Sequence, residues 1–104
     1  MIILTVITKK EEEVLLVMEH LLENKYAKSV QLDHEVNHFL NDKKQLTTVK
    51  TPKLSFISKA LLYKDIESSL FNRFGKDHFI IYSEPVGQMN EDYGNELRTY
   101  LKSV

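Results

Sequence analysis

Ser29-Val30-Gln31-Leu32-Asp33-His34-Glu35-Val36-Asn37-His38-Phe39-Leu40 is the stretch whose reading decides the fold. Val30, Leu32, Val36 and Leu40 alternate with Gln31, Asp33, Glu35 and Asn37, the period of two that a half-covered strand requires. The same residues spell H-E-x-x-H from His34 to His38, a string that binds zinc when a helix carries it. On a helix the two imidazoles would stand about 6 Å apart at Cβ, whereas four residues of strand span about 13 Å. The longer alternation favours the strand, so no chelate within one chain is expected.

On the N-terminal side, residues 2–7 are β-branched and continuously apolar, the pattern of a central strand. Thr8 with Glu11 reads as a capping box, and the acidic run Glu11-Glu12-Glu13 suits a helix N-terminus. Val14, Leu15, Val17, Met18, Leu21 and Leu22 make the helical stripe behind it. On the C-terminal side, Asn41-Asp42-Lys43-Lys44 supplies a turn, and a second arm runs over residues 45–63. Pro52 cannot donate to a ladder, so it belongs at an edge or a bulge. It divides a polar outer arm (Thr47, Thr48, Lys50, Thr51) from an apolar inner one (Leu54, Phe56, Ile57, Leu61), and the hairpin should project beyond the body.

Asp65 is placed to cap a second helix carrying Ile66, Leu70, Phe71 and Phe74 inward, and Gly75 stops it. A fourth strand follows over residues 78–86, with Phe79-Ile80-Ile81-Tyr82 as its buried segment. Asn90, Glu91 and Asp92 then open a last helix whose apolar side is Tyr93, Leu97, Tyr100 and Leu101. The order βαββαβα predicts an α+β, ferredoxin-like sandwich in one domain over residues 1–104.

Fourteen basic and fifteen acidic residues leave a net charge of -1, which argues against a nucleic-acid partner. There is no cysteine, hence no disulfide or thiolate metal site, in keeping with the cytoplasm. Residues 2–7 are too short to span a bilayer and are followed, not preceded, by Lys9 and Lys10, so a mature soluble protein is expected. No phosphate-binding glycine motif is present, and Ser68 and Ser69 lack a nucleophile-elbow setting. His20 reads as a solvated residue beside Glu19, and His78 as one that precedes a buried strand. The remaining metal candidates are His34, Glu35 and His38, with Asp33 beside them, in a site assembled between subunits.

Residues 3–8, the acidic turn after them and Leu22-Glu23-Asn24-Lys25-Tyr26-Ala27-Lys28-Ser29-Val30 resemble the opening of the divalent-cation-tolerance (CutA) proteins. The resemblance continues through Phe39-Leu40-Asn41-Asp42-Lys43, Phe79-Ile80-Ile81-Tyr82-Ser83-Glu84-Pro85-Val86 and Asn90-Glu91-Asp92-Tyr93, nearly the whole chain. It implies a trimer of ferredoxin-like subunits with embracing hairpins, related to the PII signalling proteins. Ser29 stands where that family carries a cysteine, and its H-P-Y-E motif falls on Arg73, Phe74, Gly75 and Lys76 here.

The leading functional expectation is therefore a non-enzymatic, PII/CutA-like trimer that binds a small ligand or divalent metal ion in clefts between subunits, with Phe39 and Leu40 at the interface. A structural or interaction module acting through the hairpin at residues 33–53 is the alternative. A metal-dependent hydrolase built on His34, Glu35 and His38 stands third.

Overall fold

The computed structural model describes residues 1–42 and 45–104, apart from the side chains of His38, Leu40, Asn41, Asp42, Gln45, Leu46 and Thr47. Four strands, β1 (Ile2–Thr8), β2 (Gln31–Asp42), β3 (Gln45–Ser58) and β4 (Phe79–Pro85), form an antiparallel sheet in the order β2-β3-β1-β4. Helices α1 (Val14–Glu23) and α2 (Tyr63–Phe74) complete the βαββαβ arrangement, and α3 (Glu91–Tyr100) follows it. The ferredoxin-like α+β fold is thus the one that the hydrophobic periods predict. No helix among the described residues is long and apolar enough to cross a membrane.

One face of the sheet carries the core. Leu4 pairs with Phe56 and Val6 with Leu54, and these four are buried against Val17 and Leu21 of α1 and Ile66 and Leu70 of α2. On the other face α3 lies at one end, where Tyr93 and Leu97 share a hollow with Ile3 and Ile57. The backbone N–H of Lys102 donates to the Lys25 carbonyl at 2.9 Å, tying the end of α3 to the turn after α1.

Several local expectations are corrected. Thr8 does not cap α1: its ladder position opposite Phe79 keeps it in β1, and its hydroxyl accepts the Lys10 N–H at 3.2 Å. A single 3-10 turn, Glu11–Glu13, separates it from α1. Leu15, one step round the helix from buried Val14, falls beyond the strip that the sheet covers and is exposed. The third strand ends at Ser58, not near residue 63, because the 3-10 turn Ala60–Leu62 leads into α2. That turn buries Leu62 and leaves Leu61, expected on the inner arm, in solvent. Asp65 lies within the first turn of α2, where it favours the helix dipole without capping it.

Pro52 lies at a bulge, as predicted, although β3 is an interior strand. Asp33 pairs with Lys53 and Val36 with Thr51, so His34 and Glu35 both stand opposite Pro52. One extra residue on β2 thereby absorbs the position at which β3 has no N–H to donate. β1 pairs with β3 only as far as Lys53, so beyond Pro52 the sheet narrows to the two-stranded ribbon of β2 and β3. Fourteen residues of strand reach about 46 Å, close to the 48 Å long dimension of the molecule. The turn expected at residues 41–44 falls partly on Lys43 and Lys44, outside the described residues.

Gly75 ends α2 with φ +98°, a region that side-chain-bearing residues rarely adopt. Its N–H donates to the Phe71 carbonyl at 3.0 Å, and a Cβ would meet the His78 ring at 3.4 Å. Replacing Gly75 by Ala is expected to cost about 1–3 kcal/mol of stability, read as a lower urea midpoint with an unchanged slope.

Candidate functional site: the hairpin arm and the open sheet face

The bulge reorganises the predicted site. Leu32, opposite buried Leu54, points to the helix side, whereas Val36, opposite Thr51, points to the other side. The single apolar face read from residues 30–40 is therefore split in two. The even spacing of positions 34 and 38 does not by itself place them on one face, because the register shift lies between Asp33 and Val36. Both positions are on a strand, not a helix, so the helical geometry of an H-E-x-x-H zinc site is not formed.

His34, Glu35 and Asp33 are exposed. Glu35 Oε2 lies 3.8 Å from Lys50 Nζ across the ribbon, and both side chains are mostly in solvent. Such a pair contributes little and leaves the carboxylate available to another ligand. Among the described residues no group of three His, Asp or Glu side chains is gathered so as to hold a metal ion. The side chains of His38 and Leu40 are outside those described, and their candidate roles rest on the sequence alone.

The ribbon carries apolar groups on both of its faces. Phe39, opposite Thr48, is 67% exposed on the helix-side face, and Val49 is exposed on the other. Within the body, the face of the sheet away from α1 and α2 shows Ile80 and Tyr82 at 48% and 41% exposure. The expectation that residues 79–82 are all buried is corrected: β4 is an edge strand, and only Phe79 is fully covered while Ile81 packs partly against the core. Beside this open face, α3 and the sheet enclose a hollow of about 380 Å³ lined by Ser29, Gln31, Ser55 and Tyr93 as its polar groups. None of its lining residues is charged.

Two histidines away from the ribbon also depart from the sequence reading or refine it. His20 is buried between α1 and α2, not solvated, with its ring nitrogens bonded to Ser69 and Arg73. The available signal was its spacing, three residues after inward-facing Val17. His78 Nδ1 lies 3.7 Å from Glu13 Oε2, beyond hydrogen-bond distance, where the turn before β4 approaches the turn before α1.

No protein-family model and no curated protein matches the sequence. Solved structures do resemble the fold. CutA1 from Pyrococcus horikoshii superposes with a TM-score of 0.84 at 20% identity, covering 99% of this chain and 100% of that one. CutA1 from Oryza sativa gives a TM-score of 0.86 at 14% identity over 99% and 94% of the two chains. The periplasmic divalent cation tolerance protein CutA from Archaeoglobus fulgidus gives 0.80 at 14% over 98% and 100%. The chain therefore has the fold of the CutA structures, as the sequence resemblance implies.

Because the Glu35–Lys50 pair is solvent-screened, Glu35→Gln is expected to change unfolding stability by less than about 0.5 kcal/mol. A larger loss in a urea titration would show that the carboxylate is engaged in holding the ribbon and is not free for a ligand.

Proposed function

We propose that the protein is a non-enzymatic, PII/CutA-like homotrimer that binds a small ligand or divalent metal ion in clefts between subunits. The observation that carries this reading is the ribbon beyond Pro52, two strands wide with an exposed apolar residue on either face. A two-stranded ribbon is marginal in water by itself and gains stability from a third strand or a packed face. The uncovered Ile80 and Tyr82 give the body an apolar surface to which such an arm is complementary. The number of subunits comes from the CutA resemblance in sequence and fold.

In this reading the ligand site is completed by association. His34 and Glu35 are exposed donors on the same arm, and a neighbouring chain would supply the further groups that one subunit does not gather among its described residues. His38 is assigned to the same set from the sequence, and Leu40 joins Phe39 at the interface. The names of the similar structures, divalent cation tolerance proteins, fit a role in handling such ions. A regulatory output through a partner and a cytoplasmic location belong to the same proposal. The exposed Phe39 also favours the alternative of an interaction module that acts through the arm on a different protein.

Sedimentation or light scattering at micromolar concentration is expected to show a trimer, and the Phe39→Asp, Leu40→Asp double variant a population shifted to monomer. A stable native monomer would overturn the proposal.

Zinc and copper titration calorimetry is expected to show binding to the native chain and at least tenfold weaker binding to His34→Ala, His38→Ala. Imidazole coordinates only when neutral, so affinity should be weaker in acid than at neutral pH. Equal affinity in the two proteins would remove the histidines from the site, and binding by neither would favour the interaction module.

A further inference from the structure

A polar cluster centred on buried His20 joins the two core helices, with Ser69 half-buried and Asn24 and Arg73 reaching solvent. His20 of α1 is 9% exposed. Its Nε2 lies 3.0 Å from Ser69 Oγ of α2, and its Nδ1 lies 3.1 Å from Arg73 Nη1 and 3.4 Å from Asn24 Nδ2. The directions of these bonds are fixed by chemistry. A guanidinium has only donors, so Nδ1 must offer Arg73 a lone pair, and the single proton of the neutral ring is on Nε2. Asn24 is a donor too, since the same amide nitrogen donates to the His20 carbonyl at 2.8 Å. Nε2–H then donates to Ser69, whose own hydroxyl donates to the Ile66 carbonyl at 3.0 Å.

Ser69 and His20 stand at the distance of a nucleophile and its base, but the arrangement opposes that chemistry. The position behind Nδ1, where a carboxylate would raise the basicity of the ring, holds a cation, and the serine proton is committed to a backbone carbonyl.

We infer that the His20–Asn24–Ser69–Arg73 cluster is a pH-responsive latch between α1 and α2, closed while the imidazole is neutral and opened when Nδ1 takes a proton. A proton there turns the one acceptor facing Arg73 and Asn24 into a third donor. It also sets two positive groups 3.1 Å apart in a site walled by the rings of Tyr26 and Phe74. The charged groups bearing on His20 are Arg73 from α2 and Glu23 from α1 itself. Burial first and Arg73 second hold its pKa below the ordinary 6.5, with Glu23 opposing more weakly. The fold therefore favours the neutral ring. The latch contributes its full stability above pH 6.5, and that contribution is lost as pH falls through the lower, folded value.

Long-range ¹H–¹⁵N spectra of the native chain are expected to show the Nε2–H tautomer of His20, titrating with a midpoint below 6.5. Arg73→Gln removes the opposing charge and should raise that midpoint. Amide exchange in α1 and α2, corrected for its intrinsic pH dependence, should accelerate several-fold between pH 7 and pH 5 in the native chain. It should stay level in His20→Gln, whose amide keeps one donor and one acceptor at both pH values. An Nδ1–H tautomer, a midpoint at or above 6.5, a midpoint unmoved by Arg73→Gln, or equal acceleration in native and His20→Gln chains would each overturn the latch. Should Arg73→Gln fail to fold, the tautomer and midpoint in the native chain decide the matter.

Discussion

The missing N–H of Pro52 is the constraint on which the rest of the arm depends. An interior strand must donate to its neighbours at regular intervals, and β3 cannot do so at this residue. The chain accommodates the gap by setting two residues of β2, His34 and Glu35, opposite one of β3. The same point is where β1 stops pairing with β3, since its last partner there is Lys53. A single proline thus marks the boundary between a four-stranded body with a helical cover and a two-stranded extension without one. The residues with the most coordination chemistry, His34 and Glu35, are those that the bulge displaces from the regular ladder.

Much of the architecture is legible in the sequence because burial imposes its periods there. The continuous β-branched run of β1 marks a central strand, and it does lie between β3 and β4. What escapes a local reading is decided by contacts far away in the chain. Thr8 and Glu11 have the spacing of a capping box, but the ladder to Phe79 holds Thr8 in the strand. Leu61 and Leu62 are the same residue type side by side, and only the direction of the turn into α2 buries one and exposes the other. His20 was hidden by its polarity, although its spacing placed it inward. Its partners, Ser69 and Arg73, are about fifty residues later and have no signature that announces them.

The site is less legible than the fold for a related reason. Alternation assigned Leu32 and Val36 to one face, but a bulge reverses alternation and only the proline opposite hints at one. H-E-x-x-H is a motif only on a helix, and here the fold sets it on a strand. The hollow beside α3 draws Ser29, Gln31, Ser55 and Tyr93 from three separate segments, a combination that no spacing rule connects.

The disagreement over β4 bears on the proposed assembly. Phe79-Ile80-Ile81-Tyr82 is the uninterrupted apolar run of a strand covered on both sides, yet in the single chain Ile80 and Tyr82 face solvent. An edge strand left open in this way would ordinarily alternate polar with apolar residues or be blunted by charge. The ribbon poses the complementary question, having exposed apolar residues on both of its faces among the described residues. Each surface is anomalous alone, and each has the character that the other requires. Packing the arm of one copy across the open face of another would give both patterns a single cause. It would also bring His34 and Glu35 against groups from a second chain, which is where a site left incomplete by one subunit would have to be finished.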